Sequence, residues 1–191
     1  MSQVFTVREP AEAEYEIKRS RFIAVIAPTA DGTELEAFLT GLARRHPQAS
    51  HLTYAWRIET PQGLRERAFD AGEPSGTAGR PILTHLQGRQ LVNVCLAVIR
   101  YFGGIKLGAG GLARAYGHAA KQVLEQARIV PHVIYRRVEA EVDYARFQNL
   151  ERQLAPLGAR ILDADYGPRV KVILEVPEDN LGELERLLAS H

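Results

Sequence analysis

Residues 92–114 read VNVCLAVIRYFGGIKLGAGGLAR. The first part, Val92–Phe102, is an almost continuous apolar run, which predicts a long buried strand. Five glycines follow within Gly103–Gly111, and Leu112–Arg128 then has the composition and spacing of a helix. This stretch therefore predicts a buried strand that leads through a glycine-rich connection into a helix.

The glycine-rich connection is a candidate binding site. Glycine permits positive φ and lets another group approach the backbone closely. A helix start exposes unpaired N–H groups, so a phosphate-like anion is expected at Gly108–Gly111. The candidate binding residues are Arg100, Gly103, Gly104, Lys106, Gly108, Gly110, Gly111 and Arg114. The alternative is a closely packed strand-to-helix connection.

Two nucleotide-binding motifs do not account for these glycines. Gly108-x-Gly110-x-x-Ala113 has the spacing of a dinucleotide fingerprint, but Gly103–Leu107 separates it from the end of the strand. A Walker A loop requires Gly-Lys followed by Ser or Thr, and the segment lacks it. No cofactor is therefore expected.

A second polar segment, Asp70–Pro81, reads DAGEPSGTAGRP. Asp70 and Glu73 are candidates for an acid and a base, or for ligands of a hard cation. His51, at the start of a predicted strand, is a third candidate catalytic residue if it faces these loops. We expect this segment to lie beside the glycine-rich connection and to form one concave site with it.

The hydroxyl groups of the same segment leave two alternatives open. Ser75 and Thr77, with Gly76 between them, either bind an oxyanion or cap the following helix. The alternative to a binding or catalytic site is an N-capped surface loop. In that case His51 is only a residue at the rim of the loop.

A basic cluster, Lys18-Arg19-Ser20-Arg21, precedes the short apolar strand predicted at Phe22–Ala27. Lys18, Arg19 and Arg21 are expected to contact phosphates along a sheet edge, together with Arg100 or Lys106. The alternative is a solvated cluster whose charge is balanced by Glu12, Glu14 and Glu16.

The other elements of the first part follow from periodicity and turn residues. Thr33 and Glu36 have capping-box spacing before a helix that ends at His46-Pro47. The remaining predicted elements are a half-buried strand over Leu52–Ile58, a turn at Thr60–Gly63, a partner strand near Arg65–Phe69 and a short helix from Pro81 to Leu86.

The last third of the chain predicts a β-α-β-β-α unit. The predicted elements are Tyr135–Asp143, Tyr144–Leu154, Arg160–Tyr166, Val170–Val176 and Glu178–Leu188. This is the order of a ferredoxin-like unit, and the sequence ends at His191 before a last strand. We therefore expect two α+β domains, residues 1–131 and 132–191. So small a second domain is expected to pack on the first or on another subunit, which leaves a homo-oligomer possible.

Charge and cysteine usage exclude several classes of protein. Residues 1–131 carry 16 Lys and Arg against 12 Asp and Glu, and residues 132–191 carry 8 against 11, so neither part is a polybasic or acidic tail. Cys95 is the single cysteine and the histidines form no zinc-type pair, so neither a disulfide nor a metal site is expected. With no signal-peptide or membrane-spanning stretch, a cytoplasmic protein without a membrane partner is expected.

Together these segments resemble the YigZ/IMPACT family of uncharacterised or translation-linked cytosolic proteins. The resemblance covers most of residues 15–128. It is carried by Lys18-Arg19-Ser20-Arg21-Phe22-Ile23, His51–Trp56, Gly72–Pro81, Arg100–Gly108, Ala109–Leu112 and Ala115-Tyr116.

The resemblance implies a first domain built as a β-sheet with helices on one face, similar to the second domain of a small-subunit ribosomal protein. It implies a ferredoxin-like second domain similar to one in elongation factor G. The eukaryotic relative binds the ribosome-associated activator of the amino-acid-starvation kinase, and no secure enzymatic activity comes with the family. Ala71 stands where the family usually has a second aspartate, which weakens a paired-carboxylate mechanism.

Two functions follow as hypotheses. The first is a translation-linked regulatory or binding protein that contacts RNA, a ribosomal component or a protein partner through the glycine-rich polar cleft. The second is an enzyme that acts on a phosphorylated small molecule, with Glu73 as acid or base. The concentration of polar groups and glycines in two loops is compatible with both.

Overall fold

The computed structural model describes residues 3–189, and the chain divides after His132 into two compact units. Within the described residues the first unit contains β1 (Phe5–Val7), β2 (Ala11–Ile17), β3 (Ser20–Pro28), α1 (Gly32–Arg45), β4 (His51–Thr60), β5 (Gly63–Phe69), α2 (Gly79–Gly88), β6 (Val94–Tyr101), α3 (Gly108–Gln126) and β7 (Ile129–Pro131). The second contains β8 (Tyr135–Val142), α4 (Tyr144–Leu154), β9 (Arg160–Tyr166), β10 (Val170–Pro177) and α5 (Leu181–Ala189).

Five strands of the first unit form an antiparallel sheet in the order β2-β3-β6-β4-β5. The centre of this sheet is β6, whose residues are buried from Val94 to Arg100 because both of its faces are covered. In the register between β4 and β6, Trp56 lies opposite Cys95. The short strands β1 and β7 pair with each other.

Helices cover both faces of this sheet. Helices α2 and α3 pack on the face that carries Ala24 and Ile26 of β3, and this layer forms the larger core. The family resemblance implies helices on one face of the sheet, and α2 and α3 agree with this. Helix α1, in contrast, packs through Leu42 on the opposite face, against Ile23 and Val25. Because β3 carries apolar residues at successive positions, each face needs a cover.

Helix α1 begins earlier than its predicted capping box. Asp31 is the N-cap, and its side chain accepts a hydrogen bond from the Glu34 N–H at 2.9 Å. Glu34 in turn accepts a hydrogen bond from the Ala30 N–H at 2.7 Å. The prediction that Thr33 caps this helix is therefore wrong, because an aspartate two residues earlier satisfies the same spacing.

The second unit is a three-stranded antiparallel sheet in the order β8-β10-β9. Alternate residues of β10, Val170, Val172 and Leu174, form its core with α4 and α5. Among the described residues of this unit the first, third and second strands lie side by side, as the first three strands of a ferredoxin-like unit do. The predicted α+β class, with a sheet domain followed by a small β-α-β-β-α unit, is confirmed.

No helix in residues 3–189 is both long enough and apolar enough to cross a lipid bilayer.

Candidate functional site

A cavity of about 490 Å³, here called the glycine cleft, lies in the first unit. It is lined by Ser50, His51, Glu73, Pro74, Arg100, Phe102, Lys106, Leu107, Gly108, Ala109 and Leu112. Glu73 and Pro74 come from the segment Asp70–Pro81, whereas Arg100, Phe102 and Lys106–Ala109 come from the end of β6 and the glycine-rich connection. The structure thus places the two segments side by side, as expected.

Glu73 lies at the floor of the glycine cleft, with 4% of its side chain exposed. Its Oε1 accepts hydrogen bonds from Arg100 Nη1 at 2.6 Å and from the Tyr116 hydroxyl at 2.7 Å. Burial, and then the hydrogen bond to Glu73, raise the pKa of Tyr116, so its hydroxyl stays protonated and donates. The buried carboxylate is thereby held in one orientation.

Arg100 connects Glu73 to the neighbouring strand and to the mouth of the cleft. Its guanidinium lies 5.5 Å from the Phe22 ring centroid and 5.4 Å from that of Phe102. Its Nη2 donates to the Ser20 hydroxyl at 3.4 Å. Phe102 itself is 49% exposed, so one aromatic ring is fixed over the cation and still open to a ligand.

His51 lies beside Glu73 in the cleft, as its candidate role requires. Its Nδ1 is 2.9 Å from the Ala71 carbonyl oxygen, and its Nε2 is 3.7 Å from Glu73 Oε2. Gly72 follows Ala71 with a φ of +88°, a backbone conformation that favours glycine and that turns the loop toward His51.

Asp70 holds the loop together. Its carboxylate accepts hydrogen bonds from the backbone N–H groups of Gly76, Ala78 and Gly79, at 2.8 to 3.1 Å. Partial burial acts to raise the pKa of Asp70, but these three donors outweigh it and lower the pKa below its usual value. The carboxylate is thus committed to the backbone, which favours the structural alternative over acid–base chemistry for this residue.

The hydroxyl-bearing part of the loop also serves the backbone. Thr77 donates its hydroxyl hydrogen to the Pro74 carbonyl at 2.6 Å, and Ser75 and Gly76 are exposed outside the cleft lining. The start of α2 is capped by Asp70 through Ala78 and Gly79, so the expectation that Ser75 or Thr77 caps it is wrong. Asp70 takes the capping role because its carboxylate can accept hydrogen bonds from several N–H groups at once.

Helix α3 begins at the cleft without a side-chain cap. Gly108 and Ala109 line the cavity beside Lys106, whereas Gly110, Gly111 and Arg114 do not. Gly110 lies within α3, and its φ is not positive. The positive φ angles belong to Gly104, at +87°, and Gly108, at +73°, where the chain turns into the helix.

The basic cluster forms the tight turn between β2 and β3. Lys18 and Arg19 have φ angles of 47° and 63°, an uncommon conformation for residues with side chains. Gly103 packs directly on this turn, since a Cβ there would lie 2.1 Å from the carbonyl carbon of Arg19. The Gly103 N–H donates to Ser20 Oγ at 3.2 Å, so turn and glycine-rich connection form one packed unit.

Arg21 pairs with a carboxylate of the protein itself. It makes an ion pair with Glu14 on β2, with Nε and Oε1 2.7 Å apart, and its guanidinium lies 5.5 Å from the Tyr101 ring centroid. For Arg21 the structure therefore favours the alternative in which the charge of the basic cluster is balanced by nearby glutamates. Its role in phosphate binding stays a prediction, as does that of Arg19.

Two residues of the site belong to the family motifs, but nothing in the sequence predicts a function for either. Tyr116 looks like an ordinary apolar residue of α3, and only its hydroxyl contact with Glu73 shows otherwise. Phe102 ends an apolar run, so the sequence predicts it within the buried strand. This prediction is wrong, because β6 ends at Tyr101 and Phe102 is exposed. In the sequence, Gly103 and Gly104 are the only indication that β6 ends before Phe102.

Comparison with known proteins identifies the class to which this fold and cleft belong. The Impact N-terminal domain model matches residues 18–124, and a domain of unknown function (DUF1949) matches residues 141–190. The IMPACT family member YigZ of Escherichia coli is 35% identical over 182 residues, covering 94% of this chain and 89% of that protein.

Two further matches agree. The IMPACT family member in the pol 5′ region of Thermus thermophilus is 43% identical over 169 residues, which cover 87% of this chain and 89% of that protein. A crystal structure of a hypothetical protein is 30% identical with a TM-score of 0.69, and the match covers 99% of this chain and 92% of that one. The chain belongs to the IMPACT family.

Proposed function

We propose that this chain is a translation-linked binding protein that contacts single-stranded RNA through the glycine cleft. The observation that carries the proposal is one cavity lined by a half-exposed aromatic ring, Phe102, by the cation Lys106 and by the uncapped start of α3. Single-stranded RNA binds to proteins by stacking its bases on aromatic rings and by placing its phosphates on cations and free N–H groups.

The size and position of the cleft support this choice. A volume of about 490 Å³ is within the range of about 300–1,000 Å³ that is usual for small-molecule sites, and so holds a nucleotide-sized group. The exposed cations of the Lys18–Arg19 turn lie next to Gly103 and extend the positive surface beyond the cavity. The translation link rests on the family resemblance, and the cytoplasm is the compartment it implies.

The contributions of base stacking and of phosphate contacts to RNA affinity can be distinguished, because only the phosphate contacts depend strongly on salt concentration. We expect Phe102→Leu to lower the affinity for a labelled 12-nucleotide RNA by roughly 5- to 150-fold while leaving the slope of log affinity against log salt unchanged. We expect Lys106→Gln to lower that slope by about 0.7, which corresponds to one lost phosphate contact on a single strand. Lys18→Gln with Arg19→Gln should lower it further.

Arg65→Gln is the matched control, because Arg65 is an exposed cation of the edge strand β5 outside the cleft. Fluorescence anisotropy from 25 to 300 mM salt measures both quantities, and a thermal melt of each variant checks that it is folded. If the wild-type protein binds no RNA even at the lowest salt, the RNA function fails and a protein partner becomes the leading hypothesis.

The second candidate function is an enzyme that acts on a phosphorylated small molecule. The 3.7 Å separation between His51 Nε2 and Glu73 Oε2 favours it, because both groups could exchange a proton with a bound hydroxyl or water. The commitment of Asp70 to the backbone weighs against a two-carboxylate mechanism. Turnover of a phosphorylated substrate that is lost in Glu73→Gln would favour this candidate.

A further inference from the structure

The two oxygens of the Glu73 carboxylate are in different situations. Oε1 accepts two hydrogen bonds, from Arg100 and Tyr116. Oε2 accepts none from any residue between positions 3 and 189, although 96% of the side chain is buried and the residue lines the glycine cleft. The buried side-chain atoms without a partner in residues 3–189 do not include Oε2, so this oxygen is open to the cavity, and a ligand there can donate a hydrogen bond to it.

The orientation of His51 makes a second acceptor. The Ala71 carbonyl can only accept, so Nδ1, at 2.9 Å from it, must carry the hydrogen. In the neutral ring Nε2 is then a lone-pair acceptor, and it faces Glu73 Oε2 across 3.7 Å. Two acceptors at that distance make no hydrogen bond to each other.

Two neighbouring acceptors are best matched by two neighbouring O–H donors. A cation is a poorer match, because within residues 3–189 no group of three His, Cys, Asp or Glu side chains could hold a metal ion, and the Arg100 guanidinium already lies 2.6 Å from Oε1. Hydroxyls on adjacent carbons provide such a pair of donors. In an uncapped RNA they occur together only on the 3′-terminal ribose, because elsewhere the 3′ oxygen is esterified.

We infer that Glu73 and His51 recognise the vicinal 2′- and 3′-hydroxyls of an RNA 3′ end. This inference rests on the proposed RNA function and makes it more specific. The terminal ribose donates one hydroxyl to Glu73 Oε2 and the other to His51 Nε2. Phe102 and Lys106, which line the same cavity, contact the terminal base and phosphate. Because a DNA 3′ end lacks the 2′-hydroxyl, the pair also favours RNA ends over DNA ends.

The test compares two RNAs that differ only at the 3′ end. One 5′-labelled 12-nucleotide RNA carries an ordinary 3′-terminal ribose, and the other carries a 2′,3′-dideoxynucleotide at that position. We expect the wild-type protein to bind the first about 10- to 100-fold more tightly, because the dideoxy end leaves two acceptors unpaired. Periodate oxidation of the first RNA, which converts its terminal diol to a dialdehyde, should give a similar loss.

A substitution at His51 tests whether the preference for the 3′-terminal diol arises in the glycine cleft. His51→Phe fills the same space without the Nε2 acceptor, so the ratio between the affinities for the two RNAs should fall. The control is His118→Phe, because His118 packs on Tyr15, with ring centroids 4.2 Å apart, and does not line the cleft.

The outcomes separate this inference from the proposed function. Equal affinity of the wild-type protein for the two RNAs, with the salt dependence retained, overturns the 3′-end inference and leaves RNA binding standing. An unchanged ratio in His51→Phe overturns the assignment to the cleft. The absence of binding to either RNA overturns both the inference and the proposed function.

Discussion

At the scale of a single residue, Gly103 holds the glycine-rich connection against the Lys18–Arg19 turn. A Cβ at this position would lie 2.1 Å from both the carbonyl carbon and the carbonyl oxygen of Arg19, and neither backbone can yield as a flexible side chain would. We expect Gly103→Ala to lower the free energy of unfolding by roughly 1–3 kcal/mol, measured by urea denaturation. It should also weaken RNA binding, because it displaces the Lys18–Arg19 turn.

Gly41→Ala is the matched control for this substitution. Gly41 lies within α1 and nothing would contact a Cβ there, so alanine should stabilise the protein by about 0.5–1 kcal/mol. A Gly103→Ala variant as stable as the wild type would contradict the close approach between the connection and the turn.

The residue types of the site could be predicted from the sequence, but the roles of the individual atoms could not. Two segments rich in glycine and polar groups indicated the cleft, and Glu73, His51 and Arg100 were candidates within it. Asp70 and Glu73 look equivalent in sequence, yet one caps a loop and the other lies open to the cavity. That difference depends on which N–H groups the folded loop brings to each carboxylate.

At the scale of elements, the loop that presents Glu73 depends on one carboxylate. The pKa of Asp70 is lower in the folded protein than its ordinary value of 3.8, so Asp70 contributes stability that is fully present well above that value. This stability should be lost as the pH falls through the lowered pKa. We expect urea denaturation between about pH 6 and pH 2 to show a smaller acid loss in Asp70→Asn than in the wild type.

Asp165→Asn serves as the control, because Asp165 is an exposed carboxylate of β9. If Asp70→Asn loses stability with acid as steeply as the wild type, the three backbone bonds to Asp70 do not contribute to folding.

Most elements were predictable because their apolar periodicity is strong. Strand β2 was missed although Ala13 is buried and Tyr15 and Ile17 are half-buried, with exposed glutamates between them. Those glutamates suggested only a charge cluster, and alternation with so few apolar residues is a weak signal. Strands β1 and β7, three residues each, pair across more than 120 positions of the chain, and no local pattern predicts such a pairing.

At the scale of the whole molecule, we expect the two compact units to behave as separate folding domains. Leu174 is fully buried in the core of the second unit, so Leu174→Ala should destabilise that unit by about 2–5 kcal/mol. Trp56, the single tryptophan, lies in the first unit and its fluorescence should melt as in the wild type. Circular dichroism, which reports on both units, should show an earlier partial transition.

Ile82→Ala is the reciprocal variant, because Ile82 is fully buried in the larger core of the first unit. It should lower the transition seen by Trp56 fluorescence. If Leu174→Ala shifts the fluorescence transition as much as the circular dichroism transition, the chain unfolds as one cooperative unit.

The position of Cys95 has a practical consequence for chemical labelling. Its thiol is fully buried in the central strand β6, and burial raises its pKa, so the reactive thiolate is scarce and shielded in the folded protein. A cysteine introduced at an exposed site, such as Arg65 on β5 or Asp165 on β9, would therefore react selectively with a maleimide dye or a spin label. Pairs of such labels could report distances within the native fold without replacement of the natural cysteine.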